Sequence, residues 1–355
     1  MATQNEIARR AGVTQATVSM ALRNHPAVSK ETLELVHRVA KELDYRPNPL
    51  VSSLMTHIRS GRHVRDQGTL AVLVNHARLN ASDEWITSNV YGEQLRGAQE
   101  RAEQLGYRVE CFFAERYGKS PSSTRLDRVF YARGIAGVLL APPQNLPESP
   151  VRLTWENYAY AAIAYSWKDL RVHRSATHHR HNMDMAFRNV LAHGYRRIGL
   201  SLPADAVEGV DANWLAGYLY WQWKLRVEDR IPLFVSKTND SDVGEFAVWL
   251  EKHRPDAILS LGGNEEKRWL DALNFRVPED IGLACVNRPQ ASPYSGVEEN
   301  HEAVGAAAAD LLIQQIQSNE RGFVKHPKLV LLEGTWVDGN SLRSREAEPI
   351  QEVPK

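Results

Sequence analysis

Residues 3–54 read TQNEIARRAGVTQATVSMALRNHPAVSKETLELVHRVAKELDYRPNPLVSSL. Thr3-Gln4-Asn5-Glu6 has the form of a capping box, in which a hydroxyl and a carboxylate satisfy each other's backbone N–H groups, so a helix is predicted from Gln4. Ile7, Ala8 and Ala11 recur at helical spacing, and Gly12 ends the helix because glycine tolerates a left-handed backbone. Thr14 then caps a second helix, Gln15 to Leu22, with Val18 and Leu22 facing inward. Two short helices across so tight a turn fit a helix-turn-helix. Ser29 caps a third helix whose buried face is Leu33, Val36, Val39, Ala40 and Leu43. After it, Asn48 can cap a short helix with Pro49 at its first position, where the missing N–H costs nothing. That helix, about Leu50 to Thr56, exposes Leu50, Val51, Leu54 and Met55, too much apolar surface for an isolated linker.

The pieces EIARRAGVTQATVSMAL, VSKET and ELDYRPNPLVSSL together resemble the headpiece of the LacI/GalR family of bacterial repressors. The resemblance implies a dimer that places paired hinge helices in the minor groove, where a leucine, here Leu54, opens the central base step. It also implies that bases are read at Gln15, Ala16 and Met20. Gln15 suits a bidentate pair with adenine, and Ala16 and Met20 suit thymine methyl groups. Thr14, Thr17, Ser19, Asn24 and Tyr45 are the candidates for phosphate contacts, which fix register without reading sequence. Thr17 and Ser19 also suit ordinary exposed helix polarity, and Leu54 also suits packing against the body.

Composition limits the nature of the chain beyond the headpiece. The 355 residues exceed one ordinary domain, and the formal net charge of zero hides an asymmetry. Residues 1–62 hold nine Lys/Arg against five Asp/Glu, and the remainder holds 34 against 38. A basic head on a mildly acidic body suits a phosphate-contacting module joined to a domain with another task. No apolar leader or membrane-length apolar run is present, so a cytoplasmic protein without membrane partners is expected. Cys111 and Cys285 are far apart in apolar contexts and are expected to be buried thiols.

Gly61 to Gln67 reads as a polar, basic linker. Beyond it, strands alternate with helices: Leu70–Val74, Val109–Phe113, Gly137–Leu140 and Ala161–Tyr165 as strands, Val90–Leu105 and Leu126–Ala132 as helices. The pattern restarts with a helix at Asn182–Ala192. Strands come next at Arg197–Leu202, Leu233–Ser236, Ala257–Ser260 and Ile281–Val286, interleaved with helices at Trp214–Leu225, Val243–Lys252 and Glu266–Leu273. A long helix, Ala303–Gln317, and a last strand, Val330–Glu333, close the series. Such alternation implies parallel sheets with covered faces, and two α/β lobes in series imply a cleft between them. The predicted fold is therefore an all-α helix-turn-helix headpiece (1–46), a hinge helix and linker (47–67), and a two-lobed α/β, periplasmic-binding-protein-like body for effector binding and dimerisation (68–355). The resemblance further implies three crossings between lobes, returning the chain to the first lobe after about Gly296.

In the resembled family, effectors such as sugars or nucleobases sit between the lobes, held by an arginine and an aspartate. The matching positions are Trp214 and Asn287, so an arginine–aspartate grip is not expected, and a tryptophan stacked on a sugar ring beside an amide is a substitute. Asn75, Trp85, Tyr165 and Asn264, near predicted strand ends or loops, are the other candidate wall residues. Each also suits a purely structural role, and Trp214, Trp221 and Trp223 suit core packing. His178, His179 and His181 lack a common helical face and a completing carboxylate set, so no metal is assigned and they read as a polar crossover. No catalytic or cofactor-binding motif is present, and no cofactor is expected. The chain thus reads as a homodimeric, sequence-specific repressor of a palindromic DNA operator, with affinity modulated by a small molecule. The alternative is a carbohydrate-binding or enzymatic body that the headpiece only localises to DNA.

Overall fold

The computed structural model describes residues 3–22, 28–43, 45, 68–74, 90–113, 123–142, 153–165, 167, 169–236 and 242–343. The chain forms two compact units, Met1–Gln67 and Gly68–Lys355. Asn24 and the predicted hinge helix with Leu54 lie outside the described residues, as do Asn75 and Trp85.

The first unit is built on three helices, α1 (Gln4–Ala11), α2 (Gln15–Ala21) and α3 (Lys30–Glu42). Each begins as its hydroxyl cap predicts: Thr3 Oγ1 accepts from Glu6 N at 3.3 Å, Thr14 Oγ1 from Thr17 N at 3.1 Å, and Ser29 Oγ from Thr32 N at 3.3 Å. Gly12 ends α1 at φ 66°, the left-handed conformation that glycine adopts without penalty. Ile7, Val18, Ala21, Val36, Val39 and Ala40 form the core, with Leu22, Leu33 and Leu43 half-buried around it.

The second unit contains two six-stranded sheets. Lobe 1 orders its strands β11-β5-β4-β3-β1-β2, where β1 is Gly68–Val74, β2 Tyr107–Phe113, β3 Ile135–Leu140, β4 Ala159–Ile163, β5 His173–Thr177 and β11 Leu329–Leu332. All its pairings are parallel. Lobe 2 orders β12-β10-β9-β8-β6-β7, with β6 Ile198–Pro203, β7 Phe234–Ser236, β8 Ala257–Ser260, β9 Gly282–Cys285, β10 Ser295–Glu298 and β12 Thr335–Val337. Among the described residues of this lobe, only β12 runs antiparallel to its neighbour. Central strands such as β1 and β3 are nearly continuous apolar runs because helices cover both faces.

In lobe 1, α4 (Val90–Gln104), α5 (Ser123–Ala132) and α11 (His301–Gln317) accompany the sheet. In lobe 2 the helices are α6 (His179–Ala192), α7 (Ala204–Gly209), α8 (Asn213–Lys224), α9 (Val243–His253) and α10 (Asn264–Ala272). The chain therefore crosses between lobes three times: from β5 to α6, from β10 to α11, and from β11 to β12. The return to lobe 1 expected after Gly296 takes place at His301.

Three departures from the sequence reading bear on the site. The strand expected at Ala161–Tyr165 ends at Ile163, because Ala164 adopts φ 62° and turns Tyr165 off the sheet. Val330–Glu333 is not the last strand, and it stops at Leu332, leaving Glu333 at a crossing. Strands β5 and β10, HRSAT and SGVE, were not predicted. Their polar side chains are buried against distant segments, as when Ser175 Oγ donates to Val304 O at 2.6 Å. Burial raises the Cys111 thiol to about 11 and the Cys285 thiol to about 12, so neither carries a thiolate near neutral pH.

Lobe 2 also buries a carboxylate. Glu266, 5 % exposed, accepts from Ser201 Oγ at 2.8 Å, and burial pushes its carboxyl from 4.5 up to about 7. Between those values the folded chain keeps a proton that the unfolded chain releases. Its contribution is therefore fully present below about pH 4.5 and is lost as pH rises through 7, by about 3 kcal/mol. Glu266→Gln should remove this loss. Urea midpoints of the parent should fall from pH 5 to pH 8 more steeply than those of the variant, and parallel profiles would contradict the assignment.

Candidate functional site

Helix α2 presents Gln15 and Ala16 exposed in its first turn, while Val18 and Ala21 on the opposite side are buried. Met20, Thr17 and Ser19 are half-buried, and Tyr45 packs on the headpiece core, its N–H donating to Ala40 O at 2.9 Å. The Thr14 and Thr17 hydroxyls lie 2.8 Å apart within the cap. Both candidate phosphate contacts thus also hold the start of the helix that carries Gln15. Arg9 and Arg10 in the last turn of α1 add exposed positive charge.

In the body, polar side chains converge where the three crossings meet. Asn182, fully buried on α6, ties all three together. Its Oδ1 accepts from Gly334 N at 3.0 Å, on the third crossing, and its Nδ2 donates to Glu299 Oε1 at 3.2 Å, on the second. Glu299, whose side chain is 1 % exposed, also accepts from His179 Nδ1 at 3.0 Å. The His179 and Trp214 rings meet edge-to-face with centroids 4.6 Å apart, and the Tyr165 ring lies 6.0 Å from the same imidazole. On the far side of Glu299, His301 Nε2 lies 3.9 Å from Oε2 and donates to Asn287 Oδ1 at 3.4 Å. Burial lowers the His301 pKa against the opposing pull of Glu299, so the imidazole is neutral near pH 7 and its Nδ1 is an acceptor.

Three of these buried atoms have no hydrogen-bond partner among the described residues: Trp214 Nε1, Glu299 Oε2 and His301 Nδ1. Leaving a buried polar atom unpaired costs about 1–3 kcal/mol, so such atoms grouped where the crossings meet mark a place where a ligand's own polar groups belong. One donor and two acceptors are on offer.

Of the wall residues expected from sequence, Tyr165, Trp214 and Asn287 come together here. Asn264 is exposed at the start of α10 and joins none of these hydrogen bonds. Trp214 is 3 % exposed and packs into the lobe-2 core, offering its N–H rather than an open ring face. Glu299, His301 and Asn182 were missed. The run EENHEAVG reads as a helix start, and only the crossing from β10 to α11 shows that its first residues face the other lobe. No helix among the described residues is long and apolar enough to cross a membrane.

Comparisons with known proteins agree with this architecture. Residues 3–48 match the family described as bacterial regulatory proteins, lacI family, and residues 187–342 match the periplasmic binding protein-like domain. The HTH-type transcriptional repressor PurR of Klebsiella pneumoniae (strain 342) is 22 % identical over 363 residues, covering 95 % of this chain and 99 % of its own. The structure of a transcriptional regulator CelR–cellobiose complex superposes with a TM-score of 0.56 at 22 % identity, covering 96 % of this chain and all of that one. The lac repressor dimer bound to operator and the anti-inducer ONPF gives 0.55 at 18 % identity, covering 96 % and 98 %.

Proposed function

Because this chain joins a lacI-family DNA-binding headpiece to a periplasmic-binding-protein-like body, we propose that it is a transcriptional repressor whose operator affinity is set by a small molecule between the lobes. The observation that carries the reading is the headpiece itself. Three capped helices pack on one core, and α2 turns Gln15 and Ala16 outward at its N-terminal end, as a helix entering a major groove requires. Gln15 pairs with adenine and Ala16 meets a thymine methyl, while Met20 sits one turn further along the groove. The chain acts as a homodimer on a palindromic operator in the cytoplasm, with Leu54 of each protomer at the central step.

The cleft chemistry favours a neutral, hydroxyl-rich effector. Each hydroxyl is both donor and acceptor, so neighbouring hydroxyls of a sugar can donate to Glu299 Oε2 and His301 Nδ1 and accept from Trp214 Nε1. A ligand bridging these atoms contacts groups on α8 and on the second crossing, and so favours one lobe angle over another. That difference in affinity, transmitted through lobe 1 to the pairing of hinge helices, is what couples the two sites.

Selection of binding sites from a random duplex pool tests the reading. The parent should enrich a palindrome with a flexible pyrimidine–purine step at its centre, and Leu54→Ala should lose that central preference. Recovery of no motif, or of one without dyad symmetry, would overturn it.

A further inference from the structure

The three histidines at the first crossing do not act together. His179 turns inward to Glu299, whereas His178 and His181 stack on each other outside, with ring centroids 5.3 Å apart and an interplanar angle of 22°. The third crossing brings Glu333 to this pair. His178 Nδ1 lies 3.8 Å from Glu333 Oε1, and His181 Nε2 lies 3.8 Å from Oε2. We propose that His178, His181 and Glu333 form a binding site for a zinc-class divalent cation that links the first and third interlobe crossings.

Two imidazoles and a carboxylate are the ligand set that borderline-soft cations such as Zn²⁺ prefer, with solvent completing the coordination. The three ligand atoms all lie within 4.8 Å of one another. A tetrahedral ion with bonds of about 2 Å separates its ligands by roughly 3.3 Å, so the atoms must close by about an ångström. The side chains are 30 %, 37 % and 61 % exposed, and rotate that far without disturbing the core. At 3.8 Å each, the two contacts to Glu333 are loose ion pairs that an ion between the groups would replace.

The backbone holds the site together independently of these side chains. His178 N donates to Leu332 O at 2.8 Å, immediately before Glu333, and Gly334 N donates to Asn182 Oδ1 at 3.0 Å, immediately after it. Two segments distant in sequence are thereby fixed side by side. The nearest cation on the same turn, Arg180, is turned onto the Tyr220 ring, 5.3 Å from its centroid. An ion here would bridge two of the three segments about which the lobes move, and would favour the lobe angle that keeps its ligands together.

The test is Zn²⁺ titration of the full, tag-free chain by calorimetry, with bound metal counted after dialysis. The expected result is one Zn²⁺ per chain, bound more tightly than about 0.1 mM, with Co²⁺ and Ni²⁺ competing and Mg²⁺ and Ca²⁺ not. His181→Ala and Glu333→Gln should each weaken binding at least about tenfold, whereas His326→Ala should not. Should a variant fold poorly, the parent's Co²⁺ absorption decides, because nitrogen and oxygen ligation in a four-coordinate site gives visible bands that hexahydrated Co²⁺ lacks. Unchanged Zn²⁺ affinity in both ligand variants, equal competition by Mg²⁺, or an aqueous Co²⁺ spectrum would overturn the proposal.

Discussion

Gly305→Ala should destabilise lobe 1 by about 3 kcal/mol and lower its melting temperature by roughly 6–12 °C. Helix α11 crosses α4 so closely that a Cβ on Gly305 would stand 1.7 Å from Gln94 O and 2.9 Å from Ala98 N. The facing glycine is equally constrained, since a Cβ on Gly97 would stand 1.9 Å from Glu302 O. Both obstacles are backbone, which cannot rotate aside as a side chain can, so the helices must part. α11 also packs on β3, β4 and β5, and parting it from α4 loosens that face of the sheet. The half-exposed pairs Arg96–Glu302 and Arg101–Asp310 at the rim of the same contact contribute little beside this. Calorimetry and urea unfolding measure the change, and a variant within about 0.5 kcal/mol of the parent would show that the helices are further apart than described.

Glu299→Gln should raise the effector concentration needed to shift operator binding by about 10- to 100-fold. Leaving a buried donor without its acceptor costs about 1–3 kcal/mol, and the amide keeps the shape of the carboxyl group while replacing one of its oxygens with a donor. Oε2 is a buried carboxyl oxygen without a hydrogen-bond partner among the described residues, so it is the one an effector hydroxyl would reach. The measurement is the half-effective concentration of any compound that moves operator binding by the parent. An unchanged value in Glu299→Gln would remove Glu299 from the effector wall.

The headpiece was legible because its determinants are local. Thr3, Gly12, Thr14 and Ser29 act on residues within one turn of themselves, and each does what its chemistry predicts. Apolar strands such as β1, β3 and β8 were legible for a related reason, since burial on both faces leaves a continuous apolar run. Strand β5 was not, because what makes HRSAT a buried strand lies far along the chain: Val304 receives the Ser175 hydroxyl, and Lys328 N donates to His173 Nδ1 at 2.9 Å.

The cleft divides in the same way. Trp214 and Asn287 came from the family resemblance and Tyr165 from its place at a predicted strand end, but the side chains that join them, Glu299, His301 and Asn182, were not found. Their role depends on three crossings meeting, and a crossing leaves no periodic signal. Likewise the pair His178 and His181 lacked a carboxylate in sequence, and the third crossing supplies Glu333 from the far end of the body.

The coupling of the two sites is the central claim, and the anisotropy of a selected operator duplex titrated with the full chain measures it directly. Mono- and disaccharides are first screened for a rise in the melting temperature of the body, and each that binds is added to the operator titration. At least one such ligand should change operator affinity by about 5- to 150-fold, and operator should in turn change the ligand's affinity by the same factor. Ligands that raise the melting temperature yet leave operator affinity unchanged would contradict the coupling.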